Sequence, residues 1–292
     1  MNFVLALAAA FGFGAADFLG GIASRRAAVV AVIIVSQSIG LVLALIAATI
    51  LSPIPGPAPL GWGALAGLAY GMALLLLYRG LSMGKMSVVA PISAVCAIVF
   101  PVLVGLVLGE EPGQMALVGI VFAILAIALV SSKASEEEEP AGDQSPGDAT
   151  DAPRSTSRAV IATAIASGVG FALFFISFSR TPPSAGLWPL VASRAVTIGA
   201  FLVAARITGQ SVRIAAGTFY TVAAIGVVDV CANTCYVLSV RGEMLSLSAT
   251  LASLYPASTV LLAWLVLREK IGGVQAIGLG CAVASVLLIT AV

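Results

Sequence analysis

Apolar residues gather along this chain into ten long stretches, near residues 3–23, 28–51, 60–80, 87–108, 113–132, 159–179, 187–206, 215–240, 244–266 and 272–291. A helix needs about 20 apolar residues to cross a hydrocarbon core, so each stretch predicts a membrane-spanning helix. The connections are short and rich in Gly and Pro, as in Ser52-Pro53-Ile54-Pro55-Gly56-Pro57 and Thr181-Pro182-Pro183. One segment breaks the pattern. Residues 133–158 carry Glu136 to Glu139, Asp143, Asp148 and Asp151 among Pro, Gly and Ser. They hold too little apolar surface to fold and predict a disordered linker, whose acidic run reads as a solvated spacer or as a docking element.

The linker divides two similar halves, 1–132 and 159–292. Tyr78, Gly84 and Met86 correspond to Tyr236, Gly242 and Met244, and Leu103 and Glu111 to Leu261 and Glu269, all at one offset. Gly12 and Gly14 correspond to Gly168 and Gly170, and Ser36-Gln37 to Ser193-Arg194, with the offset drifting by a residue or two. Five spans per half is an odd number, so the second copy enters the membrane from the opposite side. The fold class expected is all-α and integral to the membrane, with ten transmembrane helices as two inverted five-helix repeats. Inverted repeats belong to secondary transporters, whose substrate site lies where the copies meet.

Composition narrows the chemistry. The chain is 60% hydrophobic and 9% charged, with net charge +1 and no histidine; its mean hydropathy is +1.13. Nothing in it points to nucleic acid, and the commonest general base and metal ligand is missing, which argues against an enzyme and against a metal or other cofactor. Cys96, Cys231, Cys235 and Cys281 all fall within apolar spans and read as small packing residues. The first span has no Lys or Arg before it and carries Asp17, unlike a cleaved signal peptide.

Thirteen acidic residues include seven in the linker, leaving Asp17, Glu110, Glu111, Asp229, Glu243 and Glu269. Only Asp17 and Asp229 lie well inside apolar runs, where an ionisable group costs at least about 2.5–3.5 kcal/mol and so faces a cavity or a partner. Each is a candidate for reversible protonation or, alternatively, for a neutral hydrogen bond between helices; Asp229, deeper in its span than Asp17, is the expected carrier of the coupling proton, with Asn233 and Tyr236 as the expected substrate contacts. Asn233 and Tyr236 follow Asp229 at four and seven residues, placing an acid, an amide and a phenol on one helix face. That stripe fits a polar binding site or packing against another helix. Arg194, two turns into span seven, can hold a substrate carboxylate, neutralise Asp17 or Asp229, or snorkel to the interface. Its counterpart Gln37 predicts a helix–helix hydrogen bond. Gly63, Gly67 and Gly71, Gly119 with Ala123, and Gly278 with Ala282 form small-residue ridges for close helix packing. Pro91, Pro101 and Pro256 interrupt spans four and nine, and Glu111 and Glu269 are placed to cap spans five and ten.

Lys and Arg are distributed unevenly. Arg25, Arg26, Arg79, Lys85, Lys133, Arg154, Arg158, Arg206, Arg213, Arg268 and Lys270 lie in odd-numbered connections, against Arg180 and Arg241 in even-numbered ones. The positive-inside rule then places both termini outside.

Two five-span repeats, each with an apolar fourth span running into Glu, resemble the EamA family of the drug/metabolite transporter superfamily. The residues that carry the likeness are Pro101-Val102-Leu103-Val104-Gly105-Leu106-Val107-Leu108-Gly109-Glu110-Glu111, and Pro256 followed by Trp264-Leu265-Val266-Leu267-Arg268-Glu269. Gly12-Phe13-Gly14 stands where the family has a Trp-Gly motif, with Phe13 in place of Trp. The resemblance implies a multi-pass protein of the bacterial inner membrane and a cavity between spans 1, 3, 4, 6, 8 and 9. It also implies export of amino acids or related metabolites coupled to protons, and cytoplasmic termini, against the charge count.

The expected function is therefore a secondary exporter of small polar metabolites, working by alternating access in the lipid bilayer, as monomer or homodimer. The candidate substrate or proton residues are Asp229, Asn233, Tyr236, Asp17 and Arg194. A membrane sensor or assembly subunit using the acidic linker is the alternative from another class, and lipid or drug export the alternative among transporters.

Overall fold

The computed structural model describes residues 2–24, 26–83, 86–131, 154–242, 244–267 and 272–291. The described chain is helical: α1 (Asn2–Ser24), α2 (Val29–Leu51), α3 (Pro57–Met83), α4 (Met86–Val107), α5 (Gln114–Ser131) and α6 (Arg154–Ser179) form the first run. A 3-10 turn at Pro183–Ala185 leads to α7 (Trp188–Thr208), α8 (Ala216–Val240), α9 (Leu245–Ala252), α10 (Tyr255–Leu267) and α11 (Gly273–Thr290). Eight segments are long and apolar enough to cross a membrane, α9 with α10 counting as one, and Ser93–Val107 and Gln114–Val130 are shorter apolar helices. Most of the linker expected at 133–158 lies outside the described residues. Its last five, 154–158, belong to α6.

Helix ends follow local chemistry. Gly209 adopts φ 66°, and its N–H reaches the Ala205 carbonyl, closing α7 with a left-handed residue that a side chain would disfavour. Prolines behave differently by position. The helix α4 runs unbroken through Pro91 and Pro101, contrary to the expectation that they interrupt span four. Span nine does break, at Ser253 and Leu254, and Pro256 becomes the second residue of α10, where its missing N–H costs nothing.

The bundle is built on close approach of small residues. In lipid there is no hydrophobic drive between helices, so tight van der Waals contact has to hold them. Gly63 and Gly67 of α3 lie directly on the backbone of Pro189 and Ser193 of α7, and Gly226 of α8 lies on the Ser36 carbonyl of α2. Gly119 of α5 meets Ile289 and Ser285 of α11, while Gly278 of α11 meets Leu129 and Val130 of α5, an antiparallel pair. Gly12 of α1 packs on Ala232 of α8 and Gly170 of α6 on Ala73 of α3. The main packing pairs are α1 with α8, α9 and α10; α6 with α3 and α4; α2 with α7 and α8; α3 with α7; α4 with α9; and α5 with α11. Outside, Val4, Phe11, Ile50, Val107, Ile207 and Leu287 are exposed, an apolar surface suited to acyl chains.

Candidate functional site

Three helices meet at one buried charge pair. Arg194 of α7 donates through Nη2 to Asp229 Oδ2 of α8 at 2.8 Å, and through Nη1 to Gln37 Oε1 of α2 at 2.8 Å. Gln37 Nε2 donates in turn to Asp229 Oδ2 at 3.2 Å. Asn233 Nδ2 occupies the other carboxylate oxygen, Oδ1, at 3.1 Å, and also reaches the Asp229 carbonyl at 2.8 Å. Arg194 and Asp229 are 2% and 5% exposed, so the pair is out of water and each charge depends on the other. The guanidinium fits because Gly40 faces it; any Cβ there would collide with Nη1. Of the roles weighed for Arg194, neutralising Asp229 is the one this geometry has; the Arg194 Nε alone lacks a partner.

The stripe on α8 divides. Asp229 and Asn233 bond to each other, whereas Tyr236 turns to α6, its hydroxyl donating to the Phe175 carbonyl at 3.0 Å. Its ring lies 4.7 Å from Phe175 and stacks at 6.5 Å on Phe174. All three stripe residues are buried. In this conformation the Asp229 carboxylate, the Asn233 Nδ2 and the Tyr236 hydroxyl are all engaged within the protein.

Asp17 is placed otherwise. It is exposed although it sits in the body of α1. The helix wheel says what it is exposed to. Phe13, one turn earlier on the same face, packs into the cluster of Phe174, Phe175 and Tyr236, whereas Val4 and Phe11 look outward from the other side. Gly20, one turn later on the Asp17 face, has nothing within 4 Å of where its Cβ would be. The carboxylate therefore borders open space inside the bundle, within electrostatic range of Asp229 and Tyr255.

A helix-capping contact that the sequence pattern did not reveal lies at the start of α9. The N-cap position, Met244, has no side-chain acceptor. Glu110, from the connection after α4, supplies one: its Oε1 accepts the Leu245 N–H at 2.5 Å and its Oε2 the Ser246 N–H at 2.9 Å. A carboxylate on two free N–H groups also meets the positive end of the helix dipole. The signal was present as an acidic pair and an α9 start without Ser, Thr, Asp or Asn. Glu111 is exposed and lies three residues ahead of α5, so it is not in that helix's first turn, and Glu269 lies outside the described residues. Nearby, Arg241 Nη2 donates to Thr181 Oγ1 at 3.0 Å and Asn2 Nδ2 to the Gly242 carbonyl at 2.9 Å. Burial pulls the Arg241 guanidinium below its ordinary value. The four cysteines are free thiols, and the described residues contain no His/Cys/Asp/Glu group of metal-binding size.

An apolar helical bundle with buried charge chemistry at mid-depth is the build of a multi-pass membrane protein. The model of the EamA-like transporter family matches residues 2–132 and again 158–291, and the chain belongs to that family, within the drug/metabolite transporter superfamily. A solved crystal structure resembles it at TM-score 0.73, covering 97% of this chain and 96% of the other at 16% identity, a likeness of fold alone. No curated protein matches by sequence.

Proposed function

We propose that the protein is a secondary carrier working by alternating access, built of ten spans as two inverted five-helix repeats. The packing supports the repeat. Exchanging α1 with α6, α2 with α7, α3 with α8, α4 with α9–α10 and α5 with α11 maps the main packing pairs onto themselves. Gly67 resting on Ser193 becomes Gly226 resting on Ser36 under the same exchange. The break between α9 and α10 supports a site at this depth, since interrupted helices recur at transporter binding sites.

The observation that carries the reading is Asp17, an exposed carboxylate inside the bundle beside a buried ion pair. The cargo is a small polar metabolite, an amino acid or a derivative, moved outward across a bacterial inner membrane and coupled to protons. Asp17 is the group that cargo or proton reaches first. Asp229 and Arg194, with Asn233 and Tyr236, form the polar wall behind it and enter the cycle when α2, α7 and α8 move apart.

Uptake of labelled amino acids and derivatives into proteoliposomes, with and without an imposed pH gradient, tests this. Saturable uptake driven by the gradient and lost in Asp17→Asn is expected. Uptake by Asp17→Asn that equals wild type and keeps its gradient dependence would overturn the assignment.

A further inference from the structure

Resting on the carrier reading, the charge arrangement narrows the cargo. A free amino acid is a zwitterion, and burying it requires a partner for each charge. The guanidinium placed to serve a carboxylate, Arg194, has both Nη groups engaged, one by Asp229 and the other by Gln37, and its remaining Nε–H is buried behind a 2% exposed surface. The Asp229 carboxylate is likewise filled, by Arg194 and Gln37 on one oxygen and Asn233 on the other. These groups cancel. Among the described residues, the exposed carboxylate within the body of a helix is Asp17.

Its surroundings are aromatic. Phe13 precedes it by one turn on the same face, and the backbone of Tyr255, the first residue of α10, packs against Gly14, three residues before Asp17 on α1. A carboxylate among aromatic residues suits a positive nitrogen: the anion supplies a charge-assisted contact, and an aromatic ring attracts a cation that reaches its face.

We infer that Asp17 is a cation-binding residue and that the cargo carries a net positive charge, as an organic amine or an amino-acid derivative whose carboxylate is masked. The free amino acid is the poorer ligand because its carboxylate finds no free partner.

Three probes of one shape separate the charges: phenethylamine, phenylalaninamide and phenylalanine. Binding to the purified protein is measured by calorimetry, and transport by uptake into proteoliposomes. The two cations are expected to bind saturably, and phenylalanine about tenfold or more weakly. Asp17→Asn should weaken the cations by about tenfold to hundredfold, the weight of a hydrogen bond to a charged group. Asp17→Glu, which keeps the charge, should retain most of the affinity and guards against a variant that merely misfolds. Phenylalanine binding as tightly as its amide, cation binding unchanged in Asp17→Asn, or no saturable binding of either cation each overturns the proposal. Cations that bind through Asp17 but never cross the membrane support the site and refute the carrier, so the two failures are distinct.

Discussion

Arg194 hydrogen-bonds to the residue that stands in its own place in the other half of the chain, Gln37, with Nη1 donating to Oε1 at 2.8 Å. Both then converge on one oxygen of Asp229. The offset that pairs Tyr78 with Tyr236 pairs Asp229 with Gly71, so cation and anion both belong to the second half while the first half offers an amide and a glycine. This division is physically coherent. A charge introduced alone at this depth would be uncompensated, whereas the two together, with Gln37 and Asn233 adding hydrogen bonds, form a neutral tie among α2, α7 and α8.

Removing one member of that tie should therefore hurt more than removing both. Asp229→Leu strands a buried guanidinium and is expected to cost about 3–5 kcal/mol. Combining it with Arg194→Met removes both charges and should recover most of the loss. Unfolding midpoints of the detergent-solubilised variants measure this. A double variant no more stable than Asp229→Leu alone would show that the pair is not coupled.

Glu110 gives a second test. Glu110→Ala frees two N–H groups at the start of α9 and should cost about 1–2 kcal/mol, the range for losing a helix cap. Glu110→Gln keeps an acceptor and should lose less. Glu111→Ala, at an exposed position, should stay within about 0.5 kcal/mol of wild type. Equal effects at Glu110 and Glu111 would refute the cap.

Much of the fold was legible because hydropathy reports helix length directly. The stretch at 28–51 appears as Val29–Leu51, and that at 215–240 as Ala216–Val240. The glycine ridges were legible too, since close helix approach leaves few other residue types possible. The break in span nine was harder. Proline removes one N–H wherever it stands, and whether a helix continues past it depends on neighbours that the pattern does not name; Pro101 and Pro256 look alike in sequence and differ in outcome. The two intramembrane acids were legible, and the pattern favoured Asp229, the deeper one, as the proton carrier; it did not show which of them is closed off. Asp229 is closed off by Arg194 and Gln37, which are 35 and 192 residues away in sequence, and Asp17 is left open. Such distances carry no local signal.

The glycine contacts predict a pattern of tolerance. A methyl group at Gly67 or Gly226 would run into the backbone of α7 or α2, so either substitution by Ala should cost about 1–3 kcal/mol through forced backbone shifts. Gly217 and Gly280 have nothing within 4 Å of their Cβ positions, and Ala there should be neutral or slightly stabilising, because Ala favours the helix. Thermal unfolding of the four single variants tests the contrast. The Gly67 and Gly226 variants should fall together, since they sit at matching contacts of the two halves.

The separation of α9 from α10 yields the last expectation. In a continuous helix, the residue at position 256 would donate its N–H to the Ala252 carbonyl; proline has none to give, and the chain turns at Ser253 and Leu254 before starting again. Pro256→Ala restores the donor and lets the two pieces join. At Pro101 the helix already continues, so Pro101→Ala should leave the backbone path unchanged. If the break is a hinge for span nine, Pro256→Ala should slow amide exchange across residues 253–257 and reduce transport in proteoliposomes while the protein still folds. Pro101→Ala should do neither. A Pro256→Ala protein with slowed exchange and wild-type transport would mean that the break shapes the resting bundle without serving its motion.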